Sequence, residues 1–295
     1  MDNCRIVAVV LAGCLLLSLW SCKKDPPIVT QEEEEHSASQ VPVYTEDPTP
    51  PILRDSNGLE YQWAEDLQGC VLIGRGSCKA EKLQIPSEVE GSKVVAIGVD
   101  ALADYSELKT ITLPDSVTLI GGGAFRGCTN LTEIQLGQFV ESIDRYAFQN
   151  CSSLKQFTMP HTVISMGMGA FSGCTSLVSI AFSDHIPEIS RGAFENCTGL
   201  ITLFIPKWAT YIAPSAFAGC SSLVGLTIPE WVSEIGSNAF SGCTALKKVV
   251  FDDPNGWSVT SADLAQPILP ELSDSAANVT LLTTDYAEGT WVKES

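Results

Sequence analysis

Between Tyr105 and Phe251 the apolar positions return every 23 residues, a period far longer than that of a lone strand or helix. Cys128, Cys151, Cys174, Cys197, Cys220 and Cys243 mark the repeat, with Tyr105 one period earlier. Three residues after each stands a leucine, from Leu108 to Leu246. Three further on come Ile111, Ile134, Phe157, Ile180, Leu203, Leu226 and Val249, and two beyond those another apolar column runs from Leu113 to Phe251. This alternation predicts a short strand, which Pro114, Pro160, Pro206 and Pro229 end because proline cannot donate to a ladder. The column Val117, Val140, Val163, Ile186, Ala209 and Val232, with an Ile or Met three residues later, predicts a second extended piece. Each unit closes on Ala-Phe, from Ala124-Phe125 to Ala239-Phe240, where one helical turn before the Cys is expected. One such coil cannot bury its own apolar face, so coils stack and the columns become one core. The pattern predicts a solenoid of short parallel β-strands with brief helical turns, about 23 residues per coil and capped at both ends.

These six in-register units resemble the leucine-rich repeats of the BspA-like, or Treponema pallidum-type, family of bacterial surface proteins. The resemblance covers Leu83 to Phe251, and the stretch from Ile85-Pro86 to Ile97-Gly98 is similar to the family's first repeat with its short insertion. Leu102 in place of Phe, Tyr105 in place of Cys, and Gly137 and Ser183 in place of Pro depart from the pattern. The resemblance implies a leucine-rich repeat solenoid that serves as a non-enzymatic binding or adhesion module, with an extracellular or host protein as its partner.

The flanks read differently. Arg5 precedes fifteen mostly apolar residues, Ile6 to Trp20, a run shorter than the roughly 20 residues of a spanning helix and suited to a signal-peptide core. Leu19-Trp20-Ser21-Cys22 resembles the bacterial lipoprotein signal, which implies lipidation of Cys22 and an outer-membrane lipoprotein at the cell surface or on the periplasmic face. Two alternatives stand beside it: the earlier box Leu11-Ala12-Gly13-Cys14, and a cleaved secretory peptide with an ordinary Cys. After the signal at 1–21, residues 22–56 hold six prolines and the run Glu32 to Glu35, the composition of an extended acidic spacer. Residues 57–104 are expected to form an N-terminal cap with a divergent first repeat, 105–251 the coils, and 252–295 a C-terminal cap. Cys70 and Cys78 lie symmetrically about Gly74, which predicts a hairpin at Gly74-Arg75-Gly76 and, in an exported chain, a disulfide across it.

Composition narrows the function. Thirty-five acidic against 17 basic residues give a net charge of −18, which repels phosphate backbones, so no nucleic-acid partner is expected. Zinc sites need ligands two to four residues apart, whereas a 23-residue spacing stacks thiols one per coil, as a buried ladder of small hydrophobes. Catalytic triads need a singular constellation, and here every repeat Cys belongs to a column. His161, His185 and Asp184 fall on neighbouring coils but make a poor metal set, and Glu188 and Glu234 have Tyr211 between them. No cofactor, metal or catalytic residue is therefore expected. The informative column is the one just before the Val column: Ser116, Phe139, Thr162, His185, Trp208 and Trp231. Phe139, His185, Trp208 and Trp231, with Phe204 on the neighbouring strand, are the candidate ligand-binding residues, since exposed aromatics dominate binding hot spots. The rings either contact a protein or a glycan, or fold over the strand edge and shield it. The stripe is largely uncharged, so contact through it is expected to depend weakly on salt.

Overall fold

Two rows of short parallel strands run along the stack in a computed structural model that describes residues 50–261, 264 and 266–293. The predicted signal peptide, Cys22 and the spacer up to residue 49 lie outside the described residues. The first row comprises Lys82–Gln84, Thr110–Thr112, Glu133–Gln135, Gln156–Thr158, Ser179–Ala181, Gly225–Ile228 and Lys248–Phe251. Thr202 joins it only through single bridges to Ser179 and Gly225. Where strands pair, each residue faces its counterpart one period away, as Gln156 faces Ser179 and Gly225 faces Lys248. The longer step from Lys82 to Thr110 is absorbed by a hairpin of Glu88–Val89 with Ser92–Ile97, turning through Glu90 and Gly91 at φ 50° and 79°.

The second row runs from Ser92–Ile97 through Leu119–Ile120, Ser142–Ile143 and Ser165–Met166, then Glu188–Ile189, Tyr211–Ile212 and Glu234–Ile235. It divides into two sheets between Ser165–Met166 and Glu188–Ile189. The cause is local: Pro187 has no N–H to give, and the Ser190 hydroxyl donates to the Met166 carbonyl at 2.6 Å.

The Ala-Phe segments, where one helical turn is expected, are instead chains of linked turns. Alternate amides point in different directions. Ala124, Arg126 and Cys128 donate to carbonyls three residues back, whereas Gly123, Phe125 and Gly127 donate to Arg145, Ala147 and Gln149 of the next coil. A helix would spend every amide within its own coil, and this arrangement spends half of them on stacking. It requires left-handed residues twice per coil, hence the column Gly127, Asn150, Gly173, Asn196, Gly219 and Gly242, all near φ +60° to +75°.

Inside, Phe125, Phe148, Phe171, Phe194, Phe217 and Phe240 form one continuous stack with ring centroids 5.1, 5.2, 5.4, 5.4 and 5.5 Å apart. The Cys and Leu columns beside it are buried throughout. In the column that ends the first strand, Leu136 and Phe182 are only partly buried. At the C-terminal end Thr290–Lys293 pairs antiparallel with Glu234–Ile235 and with Trp257–Thr260. Trp257 and Trp291 then pack on Phe251, with centroids at 5.3 and 6.4 Å. Asn278 seals the free edge of the last first-row strand, its side-chain amide donating to the carbonyls of Val249 and Leu272.

Two expectations at the N-terminal end are corrected. The hairpin there joins Glu60–Ala64 to Gly69–Gly74, turning at Glu65–Gln68, so Cys70 faces Trp63 and not Cys78. Cys70 and Cys78 are both free buried thiols, and the predicted disulfide is absent. Gly74-Arg75-Gly76 instead leads into a turn closed by the Cys78 amide on the Arg75 carbonyl, which leaves the Cys78 sulfur 3.5 Å from the Tyr105 hydroxyl. The spacer also ends earlier than expected, because Ile52–Arg54 is a strand paired antiparallel with Glu60–Gln62.

Candidate functional site

The strand-ending prolines position the aromatic residues. Pro206-Lys207-Trp208-Ala209 and Pro229-Glu230-Trp231-Val232 are tight turns closed by Ala209 and Val232 amides on the proline carbonyls, at 3.0 and 3.1 Å. Each Trp occupies the third position of its turn, a corner from which the side chain projects outward. In two other coils this corner holds a hydroxyl that ties coils together: Ser116 donates to the Val94 carbonyl and Thr162 to the Val140 carbonyl, both at 2.7 Å. His185 does the same, with Nδ1–H donating to the His161 carbonyl at 2.9 Å. Trp208 and Trp231 make no such bond and stand 53% and 50% exposed. Their centroids are 5.6 Å apart with the planes tilted by 37°, and the Lys207 ammonium sits 5.1 Å from the Trp208 ring, a cation–π contact.

Of the five candidate residues, Trp208 and Trp231 pack ring to ring, and His185 occupies the same corner one coil before Trp208. Phe139 is exposed but three coils from Trp208, roughly 14 Å at about 4.8 Å per coil. Phe204 stands 81% exposed on the first-row face, at the coil where the ladder is reduced to the Thr202 bridges. It separates two shallow depressions of about 380 and 570 Å³, both of which Lys207 also lines. Lys207 thus links the Phe204 ridge to the Trp corner, a role invisible in the sequence because lysine has no fixed column. Neither Trp lines either depression, so the pair forms part of an open edge beside a shallow face.

The thiol ladder has an unanticipated feature. Each repeat Cys donates its S–H to a backbone carbonyl of the preceding coil, from Cys128 on Leu102 and Cys151 on Phe125 to Cys243 on Phe217, at 3.1 to 3.3 Å. Burial pushes the Cys128 and Cys243 thiols up to about 12, and it raises Cys151, Cys174, Cys197 and Cys220 as well. Thiols held protonated are neither nucleophiles nor metal ligands. Among the described residues no group of three or more His, Cys, Asp or Glu side chains is placed to hold a metal ion. Tyr211 stands in register between Glu188 and Glu234, and burial first, then those two carboxylates, raises its hydroxyl above the usual range.

The BspA type leucine rich repeat region family matches in six copies, over residues 76–198 and 141–259. A leucine-rich repeat protein of T. pallidum of known crystal structure is 32% identical, covering 66% of this chain and 90% of its own, with a TM-score of 0.62. A leucine-rich repeat protein from Bacteroides ovatus is 21% identical over 66% of this chain and 70% of its own, at a TM-score of 0.42. The pneumococcal vaccine antigen PcpA is 19% identical over 68% and 70%, at 0.45. No curated protein matches.

Proposed function

The chain belongs to the BspA-type leucine-rich repeat family, and from that premise we propose that it is a binding module presenting its first-row face and the adjoining Trp corner to an extracellular or host protein. Repeats of this type and this fold are typically non-enzymatic binding scaffolds. The observation that carries the reading is the exchange at one corner. Two adjacent coils give up an inter-coil hydrogen bond that Ser116 and Thr162 make, and place half-exposed indoles there instead. Such an exchange adds little to folding and supplies a contact surface of the residue type enriched at binding hot spots. A protein partner suits the geometry better than a glycan. The face is broad and shallow, and rings tilted by 37° on an open edge offer no parallel-walled slot for a sugar.

Replacing Trp208 and Trp231 together by Ser is expected to weaken partner binding by about 2–4 kcal/mol while leaving the melting temperature almost unchanged. Capture of host matrix proteins by the purified chain, with a glycan array in parallel, checks the first part. A lowered melting temperature with intact binding would mean that the rings shield the strand edge. Capture on the glycan array alone would move the reading to carbohydrate.

We further propose that the module is tethered at a bacterial surface through lipid on Cys22. The support is the apolar run that precedes Leu19-Trp20-Ser21-Cys22 and the acidic, proline-rich stretch that follows. Mass spectrometry of the mature N-terminus is expected to find a lipidated residue 22, and Cys22→Ala to release the protein in soluble form. An unmodified chain beginning elsewhere rules the tether out.

A further inference from the structure

We infer that one row at the entrance to the first strands, Lys155-Val178-Ile201-Val224-Lys247, is a docking strip for an extended acidic polypeptide segment lying along the solenoid axis. The inference rests on the binding-module reading but concerns a row separate from the Trp corner. Each residue directly follows the buried Leu column. The five are consecutive rungs: the amides of Val178, Ile201, Val224 and Lys247 donate to the carbonyls of Lys155, Val178, Ile201 and Val224, at 2.8, 3.1, 3.2 and 2.8 Å.

Three adjacent β-branched apolar side chains on this row are 40%, 44% and 43% exposed. Elsewhere the row is polar, with Lys109, Thr132 and Lys155 before them and Lys247 after. The geometry brings side chains of neighbouring rungs together, as the ion pair of Lys109 with Glu81 at 2.6 Å demonstrates. Glu81 and Lys109 satisfy each other. Lys155, Lys247 and the adjoining Lys248 have no ion-pair partner among the described residues, in a chain with 35 acidic and only 17 basic residues. An apolar strip closed at both ends by unpaired ammonium groups is complementary to a segment that is apolar in the middle and acidic at its ends.

Spacing restricts that segment further. Four coil steps at about 4.8 Å place the end lysines roughly 19 Å apart, and an extended chain at about 3.3 Å per residue crosses that distance in about six residues. With side chains alternating, carboxylates at i and i+6 meet the lysines while apolar side chains at i+2 and i+4 lie on the strip. A helix does not fit. The strip is one side chain wide, between Ser176, Gly199 and Ser222 on one side and Ser179, Thr202 and Gly225 on the other, whereas a helix is about 10 Å across.

The test is fluorescence anisotropy on the full mature chain with a labelled peptide, Asp-Glu-Thr-Val-Thr-Val-Thr-Glu-Asp. Saturable binding is expected, weakened about tenfold by Lys155→Glu with Lys247→Glu and about fivefold by Val178→Ser with Val224→Ser. It should weaken several-fold between low and physiological salt, and about tenfold when the peptide is rebuilt with its carboxylates three residues apart. Thermal melts of each variant confirm folding. The inference is overturned if the lysine variant binds as well as the parent, or if the short-spaced peptide binds equally. Two other results also overturn it. Tighter binding after Glu32–Glu35 are all changed to Gln would mean that the chain's own acidic run fills the strip. Self-association lost in the lysine variant would mean a second copy does. Trp208→Ser with Trp231→Ser is expected to leave peptide binding unchanged, so failure here does not count against the Trp corner, nor the reverse.

Discussion

Raising the pH above 9 is expected to unfold this protein far more steeply than an ordinary acidic domain, with a loss of about 8 kcal/mol of stability per pH unit. The six repeat thiols ordinarily titrate near 9, and burial holds them higher in the folded state, Cys128 and Cys243 up to about 12. A group whose folded pKa is raised stabilises fully below its unfolded pKa, and that stability is lost as pH climbs toward the folded value. Between about 10 and 11 the unfolded chain has therefore released nearly all of six protons that the folded chain retains. At about 1.4 kcal/mol per proton and pH unit the slope is close to 8 kcal/mol, against a total stability of about 5–15 kcal/mol for a typical domain. Tyr61 and Tyr105, both raised chiefly by burial, add to the loss at the upper end. Circular dichroism against pH measures the transition, and thiolate absorbance should rise with it as one event. The variant Cys151→Val, Cys174→Val and Cys197→Val should show about half the slope. Thiolate absorbance that rises near pH 9 without loss of fold would overturn the buried-donor reading.

The second large effect belongs to the phenylalanine stack. Phe171→Ala is expected to cost about 3–5 kcal/mol in urea unfolding, because the cavity cannot collapse between two stacked neighbours. Phe171 lies flat against Phe148 and Phe194 at 5.2 and 5.4 Å and meets the edge of Phe157 at 4.6 Å. Each lost aromatic contact adds about 0.5–1.5 kcal/mol beyond area burial, so Phe171→Leu should still be measurably destabilising. Cys174→Ala is the control. It removes a small group and the S–H bond to the Phe148 carbonyl at 3.1 Å, but that carbonyl keeps the Cys151 amide, so about 1–2 kcal/mol is expected. Equal damage from Phe171→Ala and Cys174→Ala would show that the thiols, not the rings, set the cohesion between coils.

The candidate site was only partly legible in the sequence. Trp208 and Trp231 stand out as two indoles in successive places of a column that holds Ser116 and Thr162 earlier, and parallel stacking at one period brings them together. Phe139 and His185 break the same column, yet Thr162 separates them and the His185 ring is tied to the His161 carbonyl. The exposed row of Val178, Ile201 and Val224 went unread because it sits one residue after the Leu column, where apolar side chains pass for core. The period itself could have found it, since the row begins and ends in lysine.

What the sequence determined by itself is whatever repeats: the 23-residue coil, both strand rows, the Phe and Leu columns and the burial of the thiols. Repetition makes each coil's nearest contacts copies of the coil before it, so a pattern along the chain becomes a pattern in space. Tertiary structure alone decided everything that depends on direction rather than on period. The Ala-Phe segments became linked turns because half their amides serve the neighbouring coil. Cys70 and Cys78 are not cross-strand partners because the hairpin turns at Glu65–Gln68 and not at Gly74. Which lysines lack a carboxylate among the described residues was settled by where side chains of different coils point, and hydrophobic periodicity carries no record of that.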